Sequence, residues 1–359
     1  MRTYPIGLVP GPTAVPEAVR QAYLTDYGSA DMEPEFFDLY QGTEAALGQI
    51  LKTQNRMAIM TGEGMVALWG ALKSCLRPGD RVLAVGNGPY GVGIGKLAEG
   101  ITGQLHSVRF DFDRPLDLAP VEAAIAEYRP RMVTAVHCDT PVGNLNPVQA
   151  IGDLVRRYDV PLFYVDTVSA AAGAPLDVDG WGIDLALVGS QKCLSCLPNL
   201  AIVTVSPRAW EIVHQVNYAG YDALVPWDGF VERRYTPYTL SWHGIAALNV
   251  ACNLILAEGL EHVLQRHAEI ARYCRQRVRD LGLDLYQRDE AAMSPTVTAV
   301  KVPRGLTWET LDARLRERGV VLGGSWDELS GHVFRIGHMG SQADRRLVQA
   351  GLDALAAAL

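Results

Sequence analysis

The 359-residue sequence lacks several features that would each assign it to a particular class of protein. No apolar run reaches the roughly 20 residues that a helix needs to cross a bilayer, so no membrane partner is expected. Acidic and basic residues are interspersed, and at a formal net charge of −8 no basic stripe suits a nucleic-acid backbone. The first residues lack the apolar segment of a signal peptide, which predicts a cytoplasmic protein.

Cysteine is also scarce, and its spacing favours neither a disulfide scaffold nor a zinc site. Six cysteines are scattered along a long chain, a pattern that indicates reduced thiols. Cys193 and Cys196 form a C-x-x-C pair, but no second pair or nearby histidine supplies the other two ligands of a tetrahedral metal site. We therefore expect small buried apolar fillers and no metal.

Short apolar runs alternate with helical stretches between about residues 52 and 207. Most of these runs are apolar throughout, as expected of strands covered on both faces. Strand–helix alternation predicts an α/β three-layer domain around a mainly parallel sheet. The seven predicted strands are Met57–Met60, Arg81–Val85, Leu105–Phe110, Met132–His137, Leu162–Val165, Leu185–Val188 and Ala201–Val205.

The alternation stops near residue 240. Residues 241–281 read as helical with a break at Gly259, and strand candidates Val297–Val302 and Val333–Ile336 follow. This pattern predicts a smaller α+β C-terminal domain over residues 241–359. The large domain is then predicted to span residues 1–240, including the N-terminal segment.

Two predicted strands end in residues that suit one ligand. Lys192 follows the strand before Gly189, and Asp166 ends the strand Leu162–Val165. Because the carboxyl ends of parallel strands meet at one crevice, a lysine and an acid there can face the same molecule. Such a pair suits pyridoxal 5′-phosphate, which needs a Schiff-base lysine and a carboxylate at its ring nitrogen. Alternatively, Lys192 reaches water with its amine and Asp166 caps a turn.

Two glycine-rich turns lie between predicted strands and helices. The turn Thr61–Met65 can offer backbone amides and a helix N-terminus to a phosphate, with Gln191 as a further donor. Tyr90, in the turn Asn87–Gly91, can stack on a pyridine ring. Each feature alone is compatible with an ordinary turn. Together they occur in an order that serves one cofactor.

These residues resemble the class V aminotransferases of fold type I, and the similarity runs over nearly the whole chain. Within that family, the chain is most similar to the alanine–glyoxylate and pyridoxamine–pyruvate transaminases. The motifs that carry the resemblance are Gly11–Pro16, Gly62–Met65, Asn87–Gly91, His137–Gly143 with Asn146-Pro147, Asp166, Ser190–Lys192 and Arg335–Gly337.

The resemblance implies a transaminase that works in two half-reactions between a small amino donor and a 2-oxo acid such as pyruvate or glyoxylate. Lys192 would form the Schiff base and shuttle the proton, with Asp166 at the pyridinium and Tyr90 stacked on the ring. Thr140 would lie beside the ring's phenolic oxygen, and Glu63, Gly64, Met65 and Gln191 would bind the phosphate.

Further implications concern the substrate and a second subunit. Arg335 would clamp the substrate carboxylate, unless it is a surface ion pair. The resemblance implies a homodimer with shared sites, to which Thr236, or else Tyr235, would contribute from the partner chain. Trp326 stands where the pyridoxamine–pyruvate enzyme has a second carboxylate-binding arginine, which favours a different substrate. A lyase or C–C bond-forming reaction on the same cofactor stays the alternative.

Overall fold

The structure is a computed structural model that describes residues 3–359, and it contains two main sheets. Its strands are β1 (Ile6–Leu8), β2 (Arg56–Thr61), β3 (Val82–Gly86), β4 (Leu105–Arg109), β5 (Met132–Val136), β6 (Cys138–Asp139), β7 (Asn144–Leu145), β8 (Leu162–Asp166), β9 (Leu185–Gly189), β10 (Leu200–Val205), β11 (Val297–Lys301), β12 (Val320–Gly324) and β13 (Val333–Gly337).

Twelve α-helices accompany these strands in the described residues. They are α1 (Glu17–Ala22), α2 (Pro34–Leu51), α3 (Gly64–Cys75), α4 (Pro89–Thr102), α5 (Leu118–Tyr128), α6 (Val148–Arg157), α7 (Pro207–Val216), α8 (Phe230–Arg233), α9 (Trp242–Glu258), α10 (Leu260–Asp280), α11 (Trp308–Glu317) and α12 (Arg345–Ala358).

The large sheet has seven strands in the order β2-β10-β9-β8-β5-β3-β4. Strands β9, β8, β5, β3 and β4 run parallel to one another, and only β10 pairs antiparallel with its neighbours. All seven predicted strands are present, and the predicted three-layer α/β fold is confirmed. Most strands are buried along their whole length, whereas the edge strand β4 is partly exposed. The apolar character of the central strands therefore reflects helices on both faces.

The second sheet has four strands in the order β1-β12-β13-β11, and a separate hydrophobic core lies against it. Strand β1 pairs in parallel with β12, so the N-terminal segment completes this sheet, although it was grouped with the large domain above. Helix α9 was grouped with the C-terminal domain, but its buried face packs into the core of the large sheet. The position of β1 is thus set by backbone pairing with a distant strand, and that of α9 by side-chain packing against distant segments. A domain boundary at residue 240 stays a prediction.

The predicted break at Gly259 separates α9 from α10, and the two helices meet there at 85°. Within residues 3–359, no single helix is long and apolar enough to span a bilayer, although this bent pair meets the length and composition criteria jointly. Gly259 has a φ of 89°, a backbone conformation that glycine adopts without steric cost. The sharp change of direction thus follows from the residue at the break.

Candidate active site

The carboxyl ends of β8 and β9 meet at a cavity of about 420 Å³. The two strands are parallel neighbours, with Asp166 opposite Leu187. Asp166 is the last residue of β8, and Lys192 lies three residues beyond β9. Both side chains line the cavity, together with Tyr90 and Gln191. The structure therefore brings together the acid and the lysine that the sequence placed at two strand ends.

Lys192 approaches the cavity beneath the N-terminal segment. Its Nζ donates a hydrogen bond to the carbonyl oxygen of Pro10 at 2.6 Å. Burial lowers the pKa of Lys192, the nearby Arg335 guanidinium lowers it further, and Asp166 opposes both. A lowered pKa raises the fraction of neutral amine, the form that attacks an aldehyde.

Asp166 faces the same cavity and is held by its own turn. The amide of Val168 donates to Oδ1 of Asp166 at 2.8 Å. Burial raises the pKa of Asp166 to about 6, against the lowering effect of this amide and of Lys192. A cation placed before this carboxylate would lower the pKa again, so the site favours a protonated ring nitrogen.

Tyr90, which lines the cavity, is in contact with Trp326, and Trp326 in turn is in contact with Arg335. The rings of Tyr90 and Trp326 meet edge to face at 5.5 Å, and the Arg335 guanidinium lies 4.5 Å from the Trp326 ring centre. Arg335 donates to the carbonyl oxygen of Gly324 from Nε at 2.8 Å and from Nη2 at 2.6 Å. Burial lowers the pKa of Arg335 to about 10. Arg335 is therefore a buried, oriented cation and not a surface ion pair.

Asp139 is a residue of this site to which the sequence analysis gave no role. It is fully buried, and its carboxylate accepts from the amides of Gly91 at 2.9 Å and Tyr90 at 3.4 Å, at the N-terminus of α4. Burial raises the pKa of Asp139 to about 7. The carboxylate thus fixes the turn that presents Tyr90. The signal for Asp139 in the sequence is an acid that follows an apolar strand. Its hydrogen-bond donor, the amide of Tyr90, lies 49 positions earlier and cannot be identified from the sequence.

At the N-terminus of α3, a carboxylate lies at the position predicted for a phosphate. Oε2 of Glu63 accepts from the amide of Met65 at 3.1 Å, and Oε1 accepts from Nε2 of Gln191 at 2.8 Å. Gln191 is 4% exposed, and its Oε1 has no hydrogen-bond donor among residues 3–359. Glu63 therefore engages both the amide of Met65 and the donor of Gln191. That these two groups serve a phosphate stays a prediction.

The remaining predicted residues differ in accessibility. Thr140 is fully buried, and its hydroxyl lacks a well-formed hydrogen bond within the described chain. Thr236 is 5% exposed and Tyr235 is 73% exposed, so Tyr235 is the better placed of the two to reach another subunit. No group of three or more potential metal ligands occurs in residues 3–359, and all six cysteines are free and buried.

A sequence model of the aminotransferase class-V family matches residues 10–326. The chain belongs to this family. A pyridoxamine–pyruvate transaminase of Mesorhizobium japonicum is 33% identical, with 99% of this chain and 91% of the relative covered. The crystal structure of an alanine–glyoxylate aminotransferase from Nostoc sp. superposes with a TM-score of 0.95 at 28% identity, over 100% of this chain and 96% of the other. An alanine–glyoxylate aminotransferase of Oryctolagus cuniculus is 30% identical, over 98% and 91%.

Class V aminotransferases depend in general on pyridoxal 5′-phosphate, and the two ends of this cavity fit that molecule unequally. At one end, Asp166 and Lys192 suit a pyridine ring that carries an aldehyde. At the other, the carboxylate of Glu63 would face the phosphate, and two anions at short range repel each other. The residues therefore fit the ring of the cofactor better than its phosphate.

Proposed function

We propose that this class V aminotransferase moves an amino group between a small amino donor and a 2-oxo acid such as pyruvate or glyoxylate. The vitamin B6 ring on which this occurs would be held by Lys192. One observation carries the proposal: Asp166 and Lys192 lie on adjacent strand ends and line one cavity. The similarity to named transaminases over nearly the full chain supports the same reaction class.

The residues at the end of the cavity that suits the pyridine ring each have a role that follows from their surroundings. Lys192 would hold the ring, and its amine would serve as the group that moves a proton at the substrate α-carbon. Asp166 would pair with the ring nitrogen, and Tyr90 would pack on the ring. When bound, a protonated pyridoxal ring supplies an electron sink for the negative charge that develops on the α-carbon.

Arg335 binds the substrate carboxylate in this proposal. Its guanidinium is held in place by Gly324 and covered by Trp326, so it presents a fixed, partly desolvated cation. Because an indole ring flanks this cation, a second substrate carboxylate gains no ion pair from Trp326. We therefore expect substrates with one carboxylate and, because Trp326 offers an aromatic ring, a donor with an aromatic group in preference to plain alanine.

Several further features also stay proposals. The chain would form a homodimer, with Tyr235 or Thr236 of one subunit near the cofactor of the other. Thr140 would lie beside the phenolic oxygen of the ring, because its hydroxyl is buried beside Tyr90 and lacks a well-formed partner within residues 3–359. A cytoplasmic location is likewise proposed.

Replacing the lysine tests the proposal directly. In Lys192→Ala, borohydride should no longer fix an aldehyde vitamer to the protein, and amino transfer should fall by at least about 10²–10⁴-fold, because the general base is lost. Lys96→Ala removes an exposed lysine that lines the same cavity and should leave both properties nearly unchanged. Covalent attachment that survives Lys192→Ala would refute the proposal.

A spectroscopic experiment separates transamination from the lyase alternative. The protein is mixed with a panel of amino donors while the absorbance of the bound vitamer is followed. A transaminase converts the aldehyde form to the amine form in stoichiometric amounts, whereas a lyase consumes the donor and keeps the aldehyde form. Alanine as clearly the best donor would contradict our expectation for the substrate.

The carboxylate of Glu63 favours a second candidate, in which the vitamer lacks a phosphate and is itself a substrate. A hydroxymethyl group can donate a hydrogen bond to Glu63, whereas a phosphate is repelled by it. Without an ionic anchor, the amine form leaves the site once Lys192 is released. The name of the 33% identical relative, pyridoxamine–pyruvate transaminase, describes such a pair of substrates.

The two candidate functions predict different rates of turnover when a free vitamer is supplied in excess as the amino donor. Pyridoxamine plus pyruvate should be turned over at least about tenfold more efficiently than the phosphorylated amine, a difference of about 1.4 kcal/mol. Glu63→Gln keeps the shape of the side chain and should narrow the ratio between the two turnover rates. Glu99→Gln makes the same change of charge at an exposed position of α4 and should leave that ratio unchanged. A preference for the phosphorylated vitamer in the unmodified protein would reject the second candidate alone.

A further inference from the structure

The segment Val9–Ala14, here called the N-terminal strap, crosses directly over Lys192. It begins where β1 ends and runs between the second sheet and the lysine. The amide of Thr13 donates to the carbonyl oxygen of Gln191 at 3.0 Å, and Oγ1 of Thr13 donates to that of Lys192 at 3.0 Å. The strap is therefore bound to the backbone that carries the lysine.

Glycines allow this close approach. A Cβ on Gly11, whose φ is +86°, would lie 2.4 Å from Cδ and 2.7 Å from Nζ of Lys192. A Cβ on Gly337 would lie 2.2 Å from the carbonyl oxygen of Val9. The strap is thus packed between Lys192 on one side and β13 on the other, with no room for a side chain at either contact.

The opposite side of the strap is held by one buried side chain. Gln342, which is 1% exposed, donates from Nε2 to the carbonyl oxygens of Val9 at 2.8 Å and Gly337 at 2.9 Å. Its Oε1 accepts from the amide of Ala14 at 3.3 Å. Gln342 therefore fixes both ends of the strap without being one of the residues that line the cavity.

We propose that the N-terminal strap is a positioning element for Lys192, with the carbonyl of Pro10 as the acceptor that holds the amine whenever it is not bonded to the ring. This inference rests on the proposed function. A lysine stem is long and flexible, so a released amine disperses over many rotamers unless an acceptor fixes it. The 2.6 Å contact between Nζ and Pro10 supplies that acceptor and keeps the amine beside the reacting carbon.

The strap also shields the amine of Lys192 from water. Its loss should therefore change the pH dependence of covalent attachment, which a purely structural role would leave unchanged. The groups that act on Lys192 are Arg335 from β13, Asp166 from β8, Cys138 from β6 and Cys193 in its own turn. Burial is the largest cause that lowers the pKa of Lys192. A displaced strap removes the Pro10 acceptor, which by itself lowers the pKa of Lys192, but it also admits water. Because burial is the largest cause, the pKa should rise on balance, and covalent attachment should require a higher pH.

The experiment measures attachment of pyridoxal, and separately of pyridoxal 5′-phosphate, to the full-length protein between pH 5 and 10. Each sample is reduced with borohydride, and the labelled peptide that contains Lys192 is quantified by mass spectrometry. The variants are Gly11→Ala, which displaces the amine, and Gln342→Met, which loosens the strap at a distance. The matched control is Gly7→Ala on β1, where an added Cβ meets no atom within 4 Å.

The midpoint of attachment should rise by about one pH unit in Gly11→Ala, equivalent to tenfold less label on the rising limb. A smaller rise is expected in Gln342→Met and none in Gly7→Ala, with thermal unfolding confirming that each variant is folded. Midpoints equal to that of the unmodified protein in both strap variants overturn the inference but leave the proposed function intact. An unmodified protein without label on Lys192 at any pH overturns both.

Discussion

The N-termini of α3 and α4 present two glycine-rich turns to the same cavity, and each turn binds a carboxylate of the chain itself. At α3 the carboxylate belongs to the neighbouring residue, Glu63, and lies at the cavity wall. At α4 it belongs to Asp139, which is distant in sequence and fully buried. A helix N-terminus attracts an anion in both cases. Which anion it receives is decided by the rest of the fold.

The largest effect should come from disturbing the buried carboxylate. In Gly88→Ala, the new Cβ would lie 2.2 Å from Cγ of Asp139, so the carboxylate must move away from its two amide donors. We expect a loss of about 3 kcal/mol in the free energy of unfolding, from overpacking and from the lost hydrogen bonds of Asp139. Urea denaturation measures the loss. A loss below about 1 kcal/mol would show that the α4 turn is as adaptable as the α3 turn.

The second effect is a dependence of stability on pH. Burial raises the pKa of Asp139 from 3.8 to about 7, so the folded state binds this proton more tightly than the unfolded state. The free energy of unfolding should therefore fall as the pH rises towards 7, by about 1 kcal/mol per pH unit from this group. Asp139→Asn should flatten the profile measured by urea denaturation at pH 5, 6 and 7. Parallel profiles for the two proteins would contradict the assignment.

A smaller effect is expected when the local cap at α3 is removed. Glu63→Ala deletes the acceptor of the Met65 amide and should lower the free energy of unfolding by about 1 kcal/mol, the usual value of an N-cap. Water can replace this carboxylate at the cavity wall, whereas it cannot reach Asp139. The comparison would fail if Glu63→Ala and Gly88→Ala destabilised the protein equally in the same urea titration.

The smallest effect calibrates the others. Gly100 lies in the last turn of α4, and an added Cβ there meets no atom within 4 Å. Gly100→Ala should raise the free energy of unfolding by about 0.5 kcal/mol, through a better helix propensity alone. A destabilised Gly100→Ala would mean that α4 does not tolerate substitution in general, and Gly88→Ala would then say little about Asp139.

The same contrast explains what the sequence revealed and what it concealed. Apolar runs located all seven strands of the large sheet, because burial on both faces leaves a local signal. Asp166 and Lys192 each follow an apolar strand in the sequence. This order predicted that both lie at the same edge of the sheet, because parallel strands align their carboxyl ends. Both inferences needed only neighbours in sequence.

Features that depend on distant partners were not readable. The role of Asp139 depends on the backbone amides at the start of α4, which donate to its carboxylate. The pairing of β1 depends on a strand more than three hundred residues later. The backbone amide of Glu63 is predicted to bind a phosphate, but the sequence does not reveal that the Glu63 side chain accepts from the amide of Met65. A single residue can supply both an amide donor and a competing acceptor, and the sequence pattern does not say which of the two a ligand meets.

The pairing of β1 with β12 also sets the order in which the molecule can mature on the ribosome. Beyond α9, the core of the large sheet takes only Val297, Met339 and the partly buried Leu260 from the described residues. Strand β1, in contrast, has no partner strand until β12 emerges. At about 5–20 residues per second, the roughly 60 residues between α9 and β12 take about 3–12 s to synthesise. Throughout that interval the backbone groups of β1 lack their partner strand, and unpaired strand groups favour association with another chain.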